Sequence, residues 1–135
     1  MGDSVDHKRQ DASRDLDDIR WEMEFYEDVL KRNPNYIEVL TQLGGLYTDT
    51  KMYEKGLWVD QRLALLKKDD PIIQYNLACS YSLLNQTEKA LEALEKAIAL
   101  GYCDLDLMSR DTDLDNIRSD PRYIRAVERI RRGKP

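Results

Sequence analysis

Histidine occurs once in this chain and cysteine twice, so a disulfide framework and any zinc site built from Cys and His alone are excluded by count. Glycine and proline are sparse, at 6 and 4, and phenylalanine occurs once. No apolar run approaches the roughly 18 residues that a membrane-spanning helix needs. The N-terminal MGDSVDHKRQDASRDLDD also lacks the apolar stretch of a secretion signal. The default compartment is therefore the cytosol, with no membrane as partner. What is present is 135 residues, close to one domain, of which 41% are hydrophobic and 35% charged. With 26 acids against 21 bases, the formal net charge is -5. That composition supplies one modest core and is too apolar for a disordered chain.

The apolar residues are mainly Leu, Ala, Tyr and Ile, spaced for helices rather than alternating for strands, which predicts an all-α fold. A shift of 34 residues superimposes Leu43 on Leu77, Gly44 on Ala78, Tyr47 on Tyr81, Gly56 on Ala90, Leu57 on Leu91 and Leu66 on Leu100. Size is kept as well as polarity, so the chain reads as a helix pair repeated. Leu40, Leu43, Gly44 and Tyr47 fall at helical spacing, and Gly56, Leu57, Leu63 and Leu66 fall on a second helix after a loop at 49–52. Gly44 opposite Gly56, and Ala78 opposite Ala90, let two helix axes approach closely. Asp70 before Pro71 is a helix start, Thr87 with Glu88 opens the next helix, and Gly101 ends it. Helices are predicted over 16–32, 36–49, 53–68, 71–84, 87–100 and 121–132, with short turns between 104 and 120.

The stretches LTQLGGLY...YEKGL and YNLACSY...EKALEALEKAIAL resemble tetratricopeptide repeats, which are 34-residue helix-turn-helix units with Leu, a small residue and Tyr on the first helix and Ala on the second. The resemblance implies a short solenoid of antiparallel helix pairs spanning 16–132, with one unit at 37–70 and another at 71–104. The first unit departs from the family pattern: Leu40 stands where Trp is frequent, Gly56 where Ala is usual, and Asp60 where an aromatic is usual. Residues 16–34 resemble the second helix of a preceding unit whose first helix is missing. Residues 1–15 form a polar leader with Val5 as its one large aliphatic residue, so they cannot supply an apolar face. The segment 105–132 resembles the closing segment that follows the last repeat in many bacterial members, ending in a helix that covers the open end.

Sites of chemistry are scarce. Asp111-x-Asp113-x-Asp115 has the alternating oxygens of a calcium loop, but Asn116 stands where such a loop needs Gly and Arg122 where it needs Glu. These acids read as helix caps and solvated loop charge. Cys79 and Cys103 lack Cys-x-x-Cys spacing and read as structural thiols, and His7 has no partner nearby. No Gly-rich phosphate loop, nucleophile elbow or acid-base pair is recognisable, so the chain is read as a non-enzyme without a cofactor. Residues 122–134 carry six bases against one acid, but the chain is acidic overall and bases at a helix C-terminus also suit the helix dipole. Nucleic acid is not expected as a partner.

The resemblance implies a protein-protein interaction module, an adaptor or scaffold whose first helices line a concave groove. Carried over to this sequence, the groove face comprises Glu38, Thr41, Gln42, Gly45, Thr48 and Asp49 with Ile72, Tyr75, Asn76, Cys79, Ser82 and Leu83, and Arg110 at its end if that stretch is helical. Docking is expected on the second unit, where Tyr75 offers a ring and Asn76 an amide, unless that strip packs against the closing segment or the protein's own leader. A well-known subclass grips a peptide carboxylate with two Lys, two Asn and an Arg. Only Asn76 and Arg110 match such positions, and Thr41, Gly45 and Asp106 replace the rest. The alternative reading is a self-associating subunit: Leu16, Ile19, Met23, Tyr26 and Leu30 share one face of the first helix, and Trp21, Phe25 and Val29 share the opposite one. A homodimer or a partner helix would then cover the second face.

Overall fold

The computed structural model describes residues 15–133. Seven α-helices and one 3-10 turn follow one another among the described residues: α1 (Leu16–Arg32), α2 (Ile37–Asp49), α3 (Tyr53–Leu66), α4 (Pro71–Leu83), α5 (Thr87–Ala99), α6 (Leu105–Arg110), the turn Thr112–Leu114, and α7 (Pro121–Arg131). The polar leader lies outside the described residues, apart from Asp15, whose carboxylate accepts from the backbone N–H of Asp18 at 2.9 Å and starts α1. Asp70 starts α4 in the same way, accepting from Ile72 and Ile73 at 2.9 and 3.3 Å, with Pro71 at the first helical position where no N–H is needed.

The two complete hairpins, α2–α3 and α4–α5, repeat each other down to the backbone of their loops. Lys51 and Asn85, which are 34 residues apart, both take left-handed φ angles, of 64° and 59°. In each loop the next residue donates its N–H back to a tyrosine carbonyl, Met52 to Tyr47 at 2.7 Å and Gln86 to Tyr81 at 2.9 Å. Those tyrosines bridge to the helix before their own. Tyr47 donates its hydroxyl to Glu27 on α1, while Gln61 on α3 donates to the Tyr81 hydroxyl at 3.2 Å. Lys55 and Lys89 cover the two rings, at 5.7 and 5.9 Å from their centroids. Helix α1 therefore stands to α2 as α3 stands to α4.

Packing follows the small residues. A Cβ at Gly44 would lie 3.1 Å from Val59 Cγ1, so glycine sets the approach of α2 to α3. One apolar cluster gathers Leu40, Leu43, Tyr47, Val59 and Leu63, with Met23, Tyr26 and Leu30 of α1 partly buried against it. A larger one joins Ala78, Ala90, Leu94 and Ile98 to Met108, Leu114, Ile117, Tyr123 and Ala126 of the closing segment.

That closing segment keeps the repeat distance as well. Arg122 forks onto both Glu88 oxygens at 2.7 Å and Arg129 reaches Glu95 at 2.7 Å, each pair 34 residues apart, so α7 lies one unit further along from α5. Where only turns were expected between 104 and 120, the structure has the six-residue helix α6, capped by Asp104, followed by the 3-10 turn. The two pieces are separated at Asp111, whose backbone is extended (φ -81°, ψ 106°). Arg118 holds this break, donating to the carbonyls of Asp111 and Met108 at 2.6 and 2.8 Å.

Candidate functional site

Helices α2 and α4 and the break after α6 enclose a concavity of about 250 Å³ lined by Thr41, Gly44, Gly45, Thr48, Asp49, Asp60, Leu63, Asn76, Cys79, Ser80, Leu83, Asp111 and Asp113. Its rim is open at Gly45, where an added Cβ would meet nothing within 4 Å. Asn76 is exposed and Leu83 half-buried, so an amide and an apolar surface both face an occupant.

The walls are acidic. Asp49, Asp60, Asp111 and Asp113 line the concavity, and no Lys or Arg does. Burial pushes the Asp60 carboxyl up to about 6, although the Ser80 hydroxyl, which donates to it, pulls the other way. Asp113 is also raised, by burial first and then by the charges of Asp111, Asp49 and Asp115. Carboxylates from α2 and from the closing segment therefore repel one another across the opening. Cys79 lies 3.8 Å from Asp111 Oδ2, and burial, followed by Asp111 and Asp113, holds its thiol above the ordinary thiol range. The ligand atoms of Cys79, Asp111 and Asp113 fall within 4.8 Å of one another. Asp111 Oδ2 accepts the Tyr75 hydroxyl at 2.6 Å, so in this structure the cluster forms a hydrogen-bonded wall.

Of the groove residues expected from the sequence, Thr41, Gly45, Thr48, Asp49, Asn76, Cys79 and Leu83 lie together on this concavity. The expectation for Tyr75 is corrected: its ring is 3% exposed, stacked on Tyr102 at 4.3 Å between centroids and 8° between planes, and its hydroxyl is taken by Asp111. It is a brace between the second unit and the closing segment rather than a surface offered to a ligand. Arg110 stands on α6, exposed, with its guanidinium 3.0 Å from Asp106 and outside the lining. Ile72 and Gln42 are exposed and are also outside it. Six lining residues escaped the sequence reading as groove residues: Gly44, Asp60, Leu63, Ser80, Asp111 and Asp113. Asp60 had left a trace as an acid in a place where an aromatic is usual. Asp111 does cap the 3-10 turn, through the Asp113 N–H at 3.1 Å, and the same carboxylate also faces the groove.

The other surface singled out by sequence lies at the far end of the molecule. Trp21 and Phe25 on α1 are 65% and 49% exposed, stacked at 5.6 Å with 5° between planes, and Val29 is half-buried. Met23, Tyr26 and Leu30 pack against the first cluster, while Leu16, grouped with them by period, is exposed. Among the described residues, no helix is long and apolar enough to cross a membrane.

Comparison with known proteins agrees with this architecture. The tetratricopeptide repeat family matches residues 72–100. A chloroplastic protein of Arabidopsis thaliana is 45% identical over 47 residues, which span 35% of this chain and 14% of that protein. The crystal structure of MamA superimposes with a TM-score of 0.57 and 25% identity, over 82% of this chain and 75% of that one. Tetratricopeptide repeats are in general protein-interaction modules without catalysis of their own, and the stacked hairpins here have that form. The family match on α4–α5, the same 34-residue register running through α2–α3 and the fold shared with MamA together support a short all-α solenoid of tetratricopeptide-like hairpins.

Proposed function

We propose that this protein is an adaptor that holds a segment of another protein in the concavity between its two complete repeats, and that the segment carries Lys or Arg. The observation that carries the reading is the set of four carboxylates lining an open groove from which Lys and Arg are absent. A cationic side chain entering it relieves the repulsion among Asp49, Asp111 and Asp113, which favours a basic segment over an acidic one. Asn76 can pair with the backbone of the segment as both donor and acceptor, and Leu83 accepts a neighbouring apolar side chain.

The test is capture of a native partner by the wild type and by Asp49→Lys combined with Asp113→Lys. Neither carboxylate braces the core, so the variant keeps its helical signal. Capture is expected to fall at least tenfold, and wild-type capture is expected to weaken with salt. Capture that is indifferent to both reversals sinks the reading. If it survives them but fails on Arg125→Glu, the binding surface is instead the basic helix α7.

A further inference from the structure

The 34-residue register identifies which face of α1 corresponds to the covered face of the complete units. Counting back from Gly56, Val59 and Leu63 gives Glu22, Phe25 and Val29, and counting back two units from Ala90, Ala93 and Ala97 gives the same three. In both complete units these positions are buried, and Gly44 against Val59 shows that the covering element is the first helix of the unit itself. On α1, Phe25 is instead 49% exposed and lies flat against Trp21, itself 65% exposed, and among the described residues no helix packs over these two rings. The preceding stretch has the wrong composition for the part. At the places of Leu40, Leu43, Gly44 and Tyr47 it carries Asp6, Arg9, Gln10 and Ser13, which bring charge and amide to a face that needs apolar surface.

We propose that a second copy of this chain covers the face, α1 against α1 and antiparallel, about a twofold axis that passes beside Phe25. The stripe is self-complementary in this arrangement. Trp21 and Val29 stand four residues to either side of Phe25, so each Trp21 meets Val29 of the second copy while the two Phe25 rings meet at the axis. The charges select the direction. The first turn of α1 is acidic, Asp17 and Asp18, and its last turn is basic, Lys31 and Arg32. An antiparallel pairing brings each acidic end beside a basic end, and a parallel pairing would set acid against acid and base against base. The pairs these side chains make within their own helix are loose and exposed, Arg20 to Asp17 at 4.0 Å and Lys31 to Asp28 at 3.5 Å, so exchange across the axis meets little resistance. One helix pair is a small interface, so assembly is expected to depend on protein concentration. It leaves the concave groove free.

Light scattering of the full chain at tens of micromolar tests the proposal. The wild type is expected at twice the 15.8 kDa of one chain. Trp21→Glu with Phe25→Glu is expected at the mass of one chain with its helical circular dichroism unchanged, because both rings are exposed and no core is opened. Asp17→Lys with Asp18→Lys, and separately Lys31→Glu with Arg32→Glu, should each weaken self-association about tenfold or more, and an equimolar mixture of the two should restore it. A wild type with the mass of one chain overturns the proposal. A dimer that survives Trp21→Glu with Phe25→Glu does the same, as does a mixture that associates no better than its components.

Discussion

The two complete repeats share a register, but they do not carry equal weight. Around α4–α5 the apolar cluster extends through Met108, Leu114, Ile117, Tyr123 and Ala126, because the closing segment covers that hairpin from the far side. Around α2–α3 the cluster is five buried residues, and the helix flanking it, α1, has no buried residue at all. The loosely formed unit also bears a lysine in a left-handed turn and a glycine inside a helix, at the places where its neighbour has Asn85 and Ala90. A repeat array is stable through the sum of its units and the interfaces between them. The difference therefore locates stability in the C-terminal half and leaves the N-terminal end adaptable.

The sharpest way to test this asymmetry is to remove one leucine from each end. Leu94 is fully buried, so Leu94→Ala is expected to destabilise by about 3–4 kcal/mol in urea unfolding, while Leu30→Ala on the half-covered α1 loses about 1–2. Equal losses would erase the asymmetry.

Next in size is the junction between the repeats. Asp60 has a folded pKa of about 6 against an ordinary 3.8, so the folded state holds its proton more tightly than the unfolded chain does. Its ionisation opposes folding: the opposition is absent below about pH 4, grows as pH rises through 6 and is complete at neutrality. Asp60→Asn should therefore stabilise at pH 7 by on the order of 2 kcal/mol. It should also leave stability unchanged below pH 4 and flatten the slope between, as read from melts across that range. The same change removes a groove carboxylate and is expected to weaken partner capture, so stability and binding move in opposite directions.

The brace between α4 and the closing segment comes third. Tyr75→Phe keeps the stack on Tyr102 but removes the hydroxyl from Asp111, at an expected cost of about 1–2 kcal/mol in urea unfolding. Tyr75→Ala would open the core, so Tyr75→Phe is the variant that tests the bond without unfolding the unit.

Smaller still is the repair of the first unit towards the second. Lys51→Asn eases the left-handed turn, and a Cβ at Gly56 meets only ordinary contacts, 3.5 Å from Thr48 Oγ1 and 3.7 Å from Tyr47 Cβ. Together with Gly56→Ala it should gain about 1 kcal/mol in thermal melts. The smallest effect is expected for Arg122→Ala at the surface of α7. Its fork onto Glu88 lies in solvent, so the loss should be slight and should vanish in high salt.

The helices and their order were legible from the sequence because local signals agreed: Asp70 before Pro71, Gly101 after α5, and a 34-residue period that matched small with small and Tyr with Tyr. Helix α6 was not, because its six residues contain too little period to separate a short helix from turns. The groove was legible on the faces of α2 and α4, where helical geometry alone brings Thr41, Gly45, Asn76, Cys79 and Leu83 to one side. Of its acidic wall only Asp49 was legible in the same way. Asp111 and Asp113 come from a segment more than thirty residues beyond Asn76, and Asp60 comes from the second helix of the other repeat.

What the sequence determined by itself was periodic: the all-α class, the hairpin unit, and two opposite apolar faces on the first helix. These depend on spacing within one or two turns, which backbone geometry converts directly into a face. What only the tertiary structure decided was which of two chemically equivalent uses each side chain has. Tyr75 had the same claim to a ligand as to a core, until a break at Asp111 brought a carboxylate to its hydroxyl and Tyr102 to its ring. The choice rests on contacts across tens of residues, where burial strengthens a hydrogen bond and raises a carboxyl's pKa, and no local spacing encodes those neighbours.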